Sequence, residues 1–145
     1  MPDRIASDHP SLRTVRAHVV RHGGGRHRLE LPVDDTDVLP ADGVLEVVVD
    51  ERRRFGRCRT VGGHPGLVGL YETHAAATGA AEGANRLDGW LDRAGRRRGS
   101  SVLVDVLTEG ERIGLRSPGE ETVYHVVRPR DSSLDDIARD LLGDG

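Results

Sequence analysis

Val44-Leu45-Glu46-Val47-Val48-Val49-Asp50-Glu51-Arg52-Arg53-Arg54-Phe55-Gly56 returns later in the chain as Val102-Leu103-Val104-Asp105-Val106-Leu107-Thr108-Glu109-Gly110-Glu111-Arg112-Ile113-Gly114. A gapless overlay of Val44 to Gly62 on Val102 to Glu120 matches Val44/Val102, Leu45/Leu103, Val48/Val106, Glu51/Glu109, Arg54/Arg112 and Gly56/Gly114. Val49/Leu107 and Phe55/Ile113 pair conservatively. Each copy reads as an apolar strand, a charged turn and a second strand carrying Arg-x-Gly, which is how a repeated supersecondary unit shows itself in sequence. The expectation is an internally duplicated, mainly β (α+β) small barrel.

The rest of the chain supplies further strands. Leu12 to His22 alternates, with Val15, Ala17 and Val19 on one face, and Gly23-Gly24-Gly25 separates it from a return strand at His27 to Pro32. Val33 to Gly43 is rich in Asp and reads as a turn or one helical turn between strands. Gly43 to Asp50 and Arg53 to Val61 form the first strand pair, and Leu67 to Thr73 is a short apolar strand. Ala75 to Ala84 is flexible or weakly helical by composition. Asn85 suits the cap of a mid-chain helix to about Ala94, which buries Leu87, Trp90 and Leu91 at helical spacing. Ser101 to Leu107 and Arg112 to Arg116 are the second strand pair, and Thr122 to Val127 adds a last strand. The domain reading is a loose tail at 1–11, a barrel domain at 12–130 and a C-terminal helix at 131–145 packed on it, capped by Ser133 with Leu134, Ile137, Ala138, Leu141 and Leu142 on its apolar face.

Composition removes several function classes. The chain of 145 residues fits one domain and has no lysine, so all 21 basic residues are arginines. A P-loop needs a lysine on the phosphates and a Schiff-base enzyme needs a lysine amine, so both are excluded. One Phe, one Trp and two Tyr leave Val, Leu and Ala to build the core. The formal charge of −3 names no partner by itself. A single cysteine, Cys58, makes no internal disulfide, and no apolar run resembles a signal peptide or membrane span, so a cytoplasmic protein is expected.

Two stretches carry a family resemblance. Arg28-Leu29-Glu30-Leu31-Pro32, followed by Leu39-Pro40-Ala41-Asp42-Gly43-Val44-Leu45-Glu46-Val47, resembles the AbrB/MazE-type unit. Asn85-Arg86-Leu87-Asp88-Gly89-Trp90-Leu91 with Gly99-Ser100-Ser101-Val102-Leu103-Val104 resembles the tail of plant-type DNA-binding pseudobarrels. Asp42-Gly43 reverses the usual Gly-Asp order of the first family, and Ser100 stands where the second copy would carry Asp. In overall style the chain is similar to haloarchaeal proteins. The resemblance implies two half-barrel units fused about a pseudo-twofold axis, as monomer or homodimer, and double-stranded DNA as partner.

The candidate site follows from strand parity. Arg53, Phe55, Arg57 and Arg59 share one face, while Arg54, Gly56 and Cys58 share the other. Arg53, Arg57 and Arg59, extended by Arg112 and Arg116, are the expected nucleic-acid contacts, because guanidinium groups bind phosphate oxygens bidentately. The competing reading is a solvated face whose arginines pair with Asp50, Glu51, Glu109 and Glu111. A second function class is a protein-interaction module using the C-terminal helix. His18, His22, His27, Cys58, His64 and His74 lack metal-ligand spacing, so no metal is expected. Glu72 and His74, with Asp105 and Tyr124 as neighbours, are the one conceivable acid/base set, but no nucleophile accompanies them. No catalytic residue and no cofactor are assigned.

Overall fold

The computed structural model describes residues 3–6, 12–120 and 123–126. Its elements are β1 (Asp3–Ala6), β2 (Arg13–Gly23), β3 (Arg26–Glu30), β4 (Asp42–Val49), β5 (Arg52–Val61), β6 (His64–Tyr71), α1 (His74–Thr78), α2 (Leu87–Arg93), β7 (Ser101–Thr108), β8 (Arg112–Arg116) and β9 (Val123–Val126). Seven strands close into a barrel in the order β2-β3-β6-β5-β4-β8-β7, and β1 pairs separately with β9. Every barrel pairing is antiparallel except β4 with β8. The described residues form a small, mainly β protein with two short helices. Asp3–Ala6, read from composition as part of a loose tail, forms β1, because its backbone groups find partners on β9. The expected helix beginning at Ser133 lies outside the described residues.

Alternation decides which side chains fill the barrel. Val15 and Ala17 of β2 face Val104 and Val102 of β7 across the ladder, Val19 faces Leu29 of β3, and Leu29 faces Leu67 of β6. Directly opposed residues share a face, so these side chains all point inward, and each is buried. Val, Leu and Ala dominate the interior, as the scarcity of aromatics requires. Cys58 is enclosed among them, and burial pushes its thiol up to about 12.

The two hairpins that look duplicated differ in the face they bury. Val47 pairs with Ile113, which pairs with Val106, so these three line the interior together. The sequence overlay instead sets Val48 against Val106 and Leu45 against Leu103. Every aligned pair therefore points to opposite sides, the consequence of a one-residue shift where the side-chain period is two. The turns set that shift: Asp50-Glu51 joins Val49 to Arg52, whereas Thr108 pairs with Arg112 around three residues, with a bulge beyond Val106. The barrel also takes five strands from residues 13–71 and two from 101–116, so the halves are unequal. Both repeated glycines nevertheless serve close approach. A Cβ on Gly56 would sit 2.5 Å from Leu67 inside the barrel, and one on Gly114 would sit 2.3 Å from the Tyr124 ring outside it.

Each end of the barrel is plugged. At one, the 33–41 segment inserts Val38 and Leu39 into the core, and the Gly110 N–H donates to the Val38 carbonyl. At the other, α2 inserts Leu87, Trp90 and Leu91. Asn85 fixes α2 there: its Oδ1 accepts from the Leu70 and Leu87 N–H groups, and its Nδ2 donates to the Val68 carbonyl. The expectation of a capping Asn85 holds in that it takes up an N-terminal donor of the helix, although Arg86 occupies the cap position.

Candidate functional site

The arginine stripe is where strand alternation puts it, on the outer face of β5, but most of it is neutralised. Arg53 Nε lies 3.1 Å from Glu46 Oε1, and Arg112 lies 3.0 Å from Glu46 Oε2, so one carboxylate on β4 holds both. Arg57 pairs with Asp42 at 3.1 Å. Arg53 also covers the Phe55 ring at 5.0 Å, and Phe55 meets His74 edge-on. Arg59 alone of the five has no carboxylate bonded to it among the described residues. The partners are Glu46, Asp42 and Asp105 rather than Asp50, Glu51, Glu109 and Glu111, because cross-strand neighbours on one face are nearer than residues at the turns.

Arg116 belongs to a different structure. Asp105 is fully buried on the outer wall, paired across β7 and β8 with Gly114. Its carboxylate accepts from Arg116 Nε at 2.8 Å, from Thr14 Oγ1 at 2.6 Å and from the Tyr124 hydroxyl. Tyr124 comes from β9 and lies over Gly114. Its hydroxyl is held well above the usual phenol range, first by burial and then by the bond to Asp105. Arg116 also donates to the Glu120 carbonyl. A buried charge with this many donors ties the β1–β9 ribbon to the barrel and leaves no guanidinium face open to phosphate. Asp105 and Tyr124 thus meet each other, while Glu72 pairs with Arg86 at 2.8 Å and His74 packs on Phe55, so the conceivable acid/base set does not assemble.

A second group of arginines lies at the end of the barrel beside α2. Arg52 and Arg54 share the inward face of β5 with Gly56 and Cys58, since Arg54 pairs with Val47 and Arg52 with Val49. At this end of the strand the inward face leaves the core and opens on the mouth beside α2. Arg93, in the last turn of α2, reaches the same place. Together with Asp50, Glu72 and Arg86 they rim a pocket of about 450 Å³ floored by Val49, Leu70 and Trp90. A neighbouring pocket of about 420 Å³ shares Asp50, Trp90 and Arg93 and extends to Ser117, Gly119 and Glu120. Arg52, Arg54 and Arg93 have no carboxylate bonded to them among the described residues. The rim is fixed by a two-residue hairpin turn, with Asp50 at φ 53° and Glu51 at φ 63°, the positive φ such tight hairpins require. Left-handed backbone at two residues with side chains is strained, and such strain gathers at binding sites.

The mouth was legible in principle. Parity puts Arg54 with Gly56 and Cys58, and an arginine on a core-facing register can exist only where the core ends. Composition draws attention to the densest run instead.

The histidines are dispersed. His27 lies against Asp88 at 3.2 Å, His64 bonds the Leu31 carbonyl, and His22 is held below the usual imidazole range by burial and then by Arg28. No three His, Cys, Asp or Glu side chains are grouped to hold a metal among the described residues. No helix among them is long and apolar enough to cross a membrane.

The sequence matches the Family of unknown function (DUF7112) over residues 1–141. The chain belongs to that family. No curated protein matches it.

Proposed function

We propose that this DUF7112 member is a nucleic-acid-binding barrel whose phosphate contacts are made at the α2 mouth by Arg52, Arg54 and Arg93. One observation carries the reading: three guanidinium groups without carboxylate partners among the described residues converge on one pocket, while the outer stripe is occupied by Glu46 and Asp42. An unpaired guanidinium meets a phosphate without first breaking an ion pair. The resemblance to DNA-binding barrels supports the polymer, and the charge distribution supports this end of the barrel.

The test is binding of labelled random-sequence duplex and single strand across a salt series. Replacing Arg52, Arg54 and Arg93 with Gln should weaken binding at least tenfold. It should also flatten the dependence of log K on log salt, because pairing guanidinium with phosphate releases counterions. Replacing Arg53, Arg57 and Arg59 should do less. Full loss in the stripe variant with none in the mouth variant would return the site to the outer face of β5, and no binding at any salt would retire the reading.

A further inference from the structure

Resting on the phosphate-binding reading of the mouth, we infer that the site takes a single terminal phosphate monoester, as the phosphorylated end of a strand or as a free nucleoside monophosphate, rather than a continuous backbone. Shape is the first reason. The two adjoining pockets, about 450 and 420 Å³, are concave and each within the range of a small-ligand site. A backbone running past would touch a surface, not fill a pocket. Charge is the second. Three free guanidiniums around one pocket exceed what a diester monoanion needs and suit a monoester dianion. The same pocket carries Asp50 on its rim, and Glu120 lines the neighbouring one. These carboxylates repel the flanking phosphates of an uninterrupted strand, whereas a chain end brings none on one side.

The floor is the third reason. Val49, Leu70 and Trp90 give the pocket an apolar base beneath charged walls, a combination suited to a ligand with an apolar body and one anionic group. Trp90 is only 4% exposed and lines both pockets, yet its indole N–H has no acceptor among the described residues. Buried indole N–H groups ordinarily have a partner, and we assign that place to a ligand oxygen.

Trp90 is the single tryptophan of the chain, so the site reports on itself. Its fluorescence is titrated with a terminally phosphorylated oligonucleotide, the same oligonucleotide ending in hydroxyls, a circular single strand with no ends, and adenosine monophosphate. The phosphorylated end and the free monophosphate should change the signal and bind at least tenfold tighter than the hydroxyl-ended strand. Arg93→Gln should abolish that preference, and the circle should not compete. Trp90→Phe, followed by anisotropy of a labelled ligand, should bind severalfold more weakly with the arginines intact. Equal affinity for phosphorylated, hydroxyl-ended and circular strands overturns terminal recognition while leaving nucleic-acid binding in place. Monophosphate binding without any polynucleotide binding upholds the monoester site and overturns the polymer reading. No response to any of the four overturns both.

Discussion

At one end of the barrel Arg13 is held by Asp35 at 2.7 Å, Asp37 at 2.9 Å and Glu109 at 3.3 Å, over the Val38 and Leu39 plug. At the other, α2 plugs the barrel with Leu87, Trp90 and Leu91, and Arg52, Arg54 and Arg93 stand at the rim with no carboxylate bonded to them among the described residues. Both ends solve the same problem, sealing an apolar interior from water. Only the first also surrounds its arginine with carboxylates. Carboxylate pairing beside one plug and bare guanidiniums beside the other separate a structural end from a binding end. The first end shows how readily this chain neutralises an arginine where nothing else is asked of it.

The largest effects should come from the plugs themselves and should be similar. Trp90→Ala is expected to lower unfolding free energy by about 3–5 kcal/mol and Leu39→Ala by about 2–5 kcal/mol, read by denaturant titration. A negligible effect at Leu39 would mean that the 33–41 segment does not seal its end. The wall between the ends offers Arg116, paired with the buried Asp105 that also holds the Tyr124 hydroxyl, and through Tyr124 this cluster should respond to pH. Tyr124 has its pKa raised on folding, so its contribution is complete below the unfolded phenol value of about 10 and is lost as pH rises past it. Stability should therefore fall above pH 10 more steeply in the parent than in Tyr124→Phe, and parallel curves would contradict the assignment.

Smaller effects sharpen the contrast between single arginines. Arg13→Gln should cost up to about 1 kcal/mol at low salt and less at high salt, because its partners are exposed. Arg93→Gln should leave stability within about 0.5 kcal/mol while weakening ligand binding. An equal stability loss at both positions would remove the distinction. Glu51→Gly should be mildly stabilising, by about 1 kcal/mol, since glycine removes the left-handed strain at φ 63°. A thermal melt reads it, and a lower midpoint would show that the Glu51 side chain earns its strain by a contact.

The strands and α2 were legible because their signals are local: Val15, Ala17 and Val19 in alternation, glycines at the turns, Leu87, Trp90 and Leu91 at helical spacing. The relation between the two hairpins was not, because apolar identity does not name a face. Leu103 and Leu107 are half-buried on the outer wall, so they align well with inward-facing Leu45 and Val49. β1 was invisible because its partner, β9, lies more than a hundred residues away. The stripe arginines were placed on the correct face, but their carboxylates come from a neighbouring strand, and cross-strand register cannot be read along one strand. Arg93 joined the site through the docking of α2, a tertiary event with no local signature.

The pairing of β2 has a consequence for how the molecule is made. It bonds to β3, which follows at once, and to β7, which begins only at Ser101. As the chain leaves the ribosome, β2 to β6 can assemble into a curved sheet whose two rims, β2 and β4, have unmet backbone groups. The β7–β8 hairpin bridges both rims in one step, so closure waits on contacts between distant parts of the chain and is slow on that account. A chain halted before Ser101 should self-associate more than the finished chain, as sedimentation would show. The molecule is most vulnerable just before it is complete.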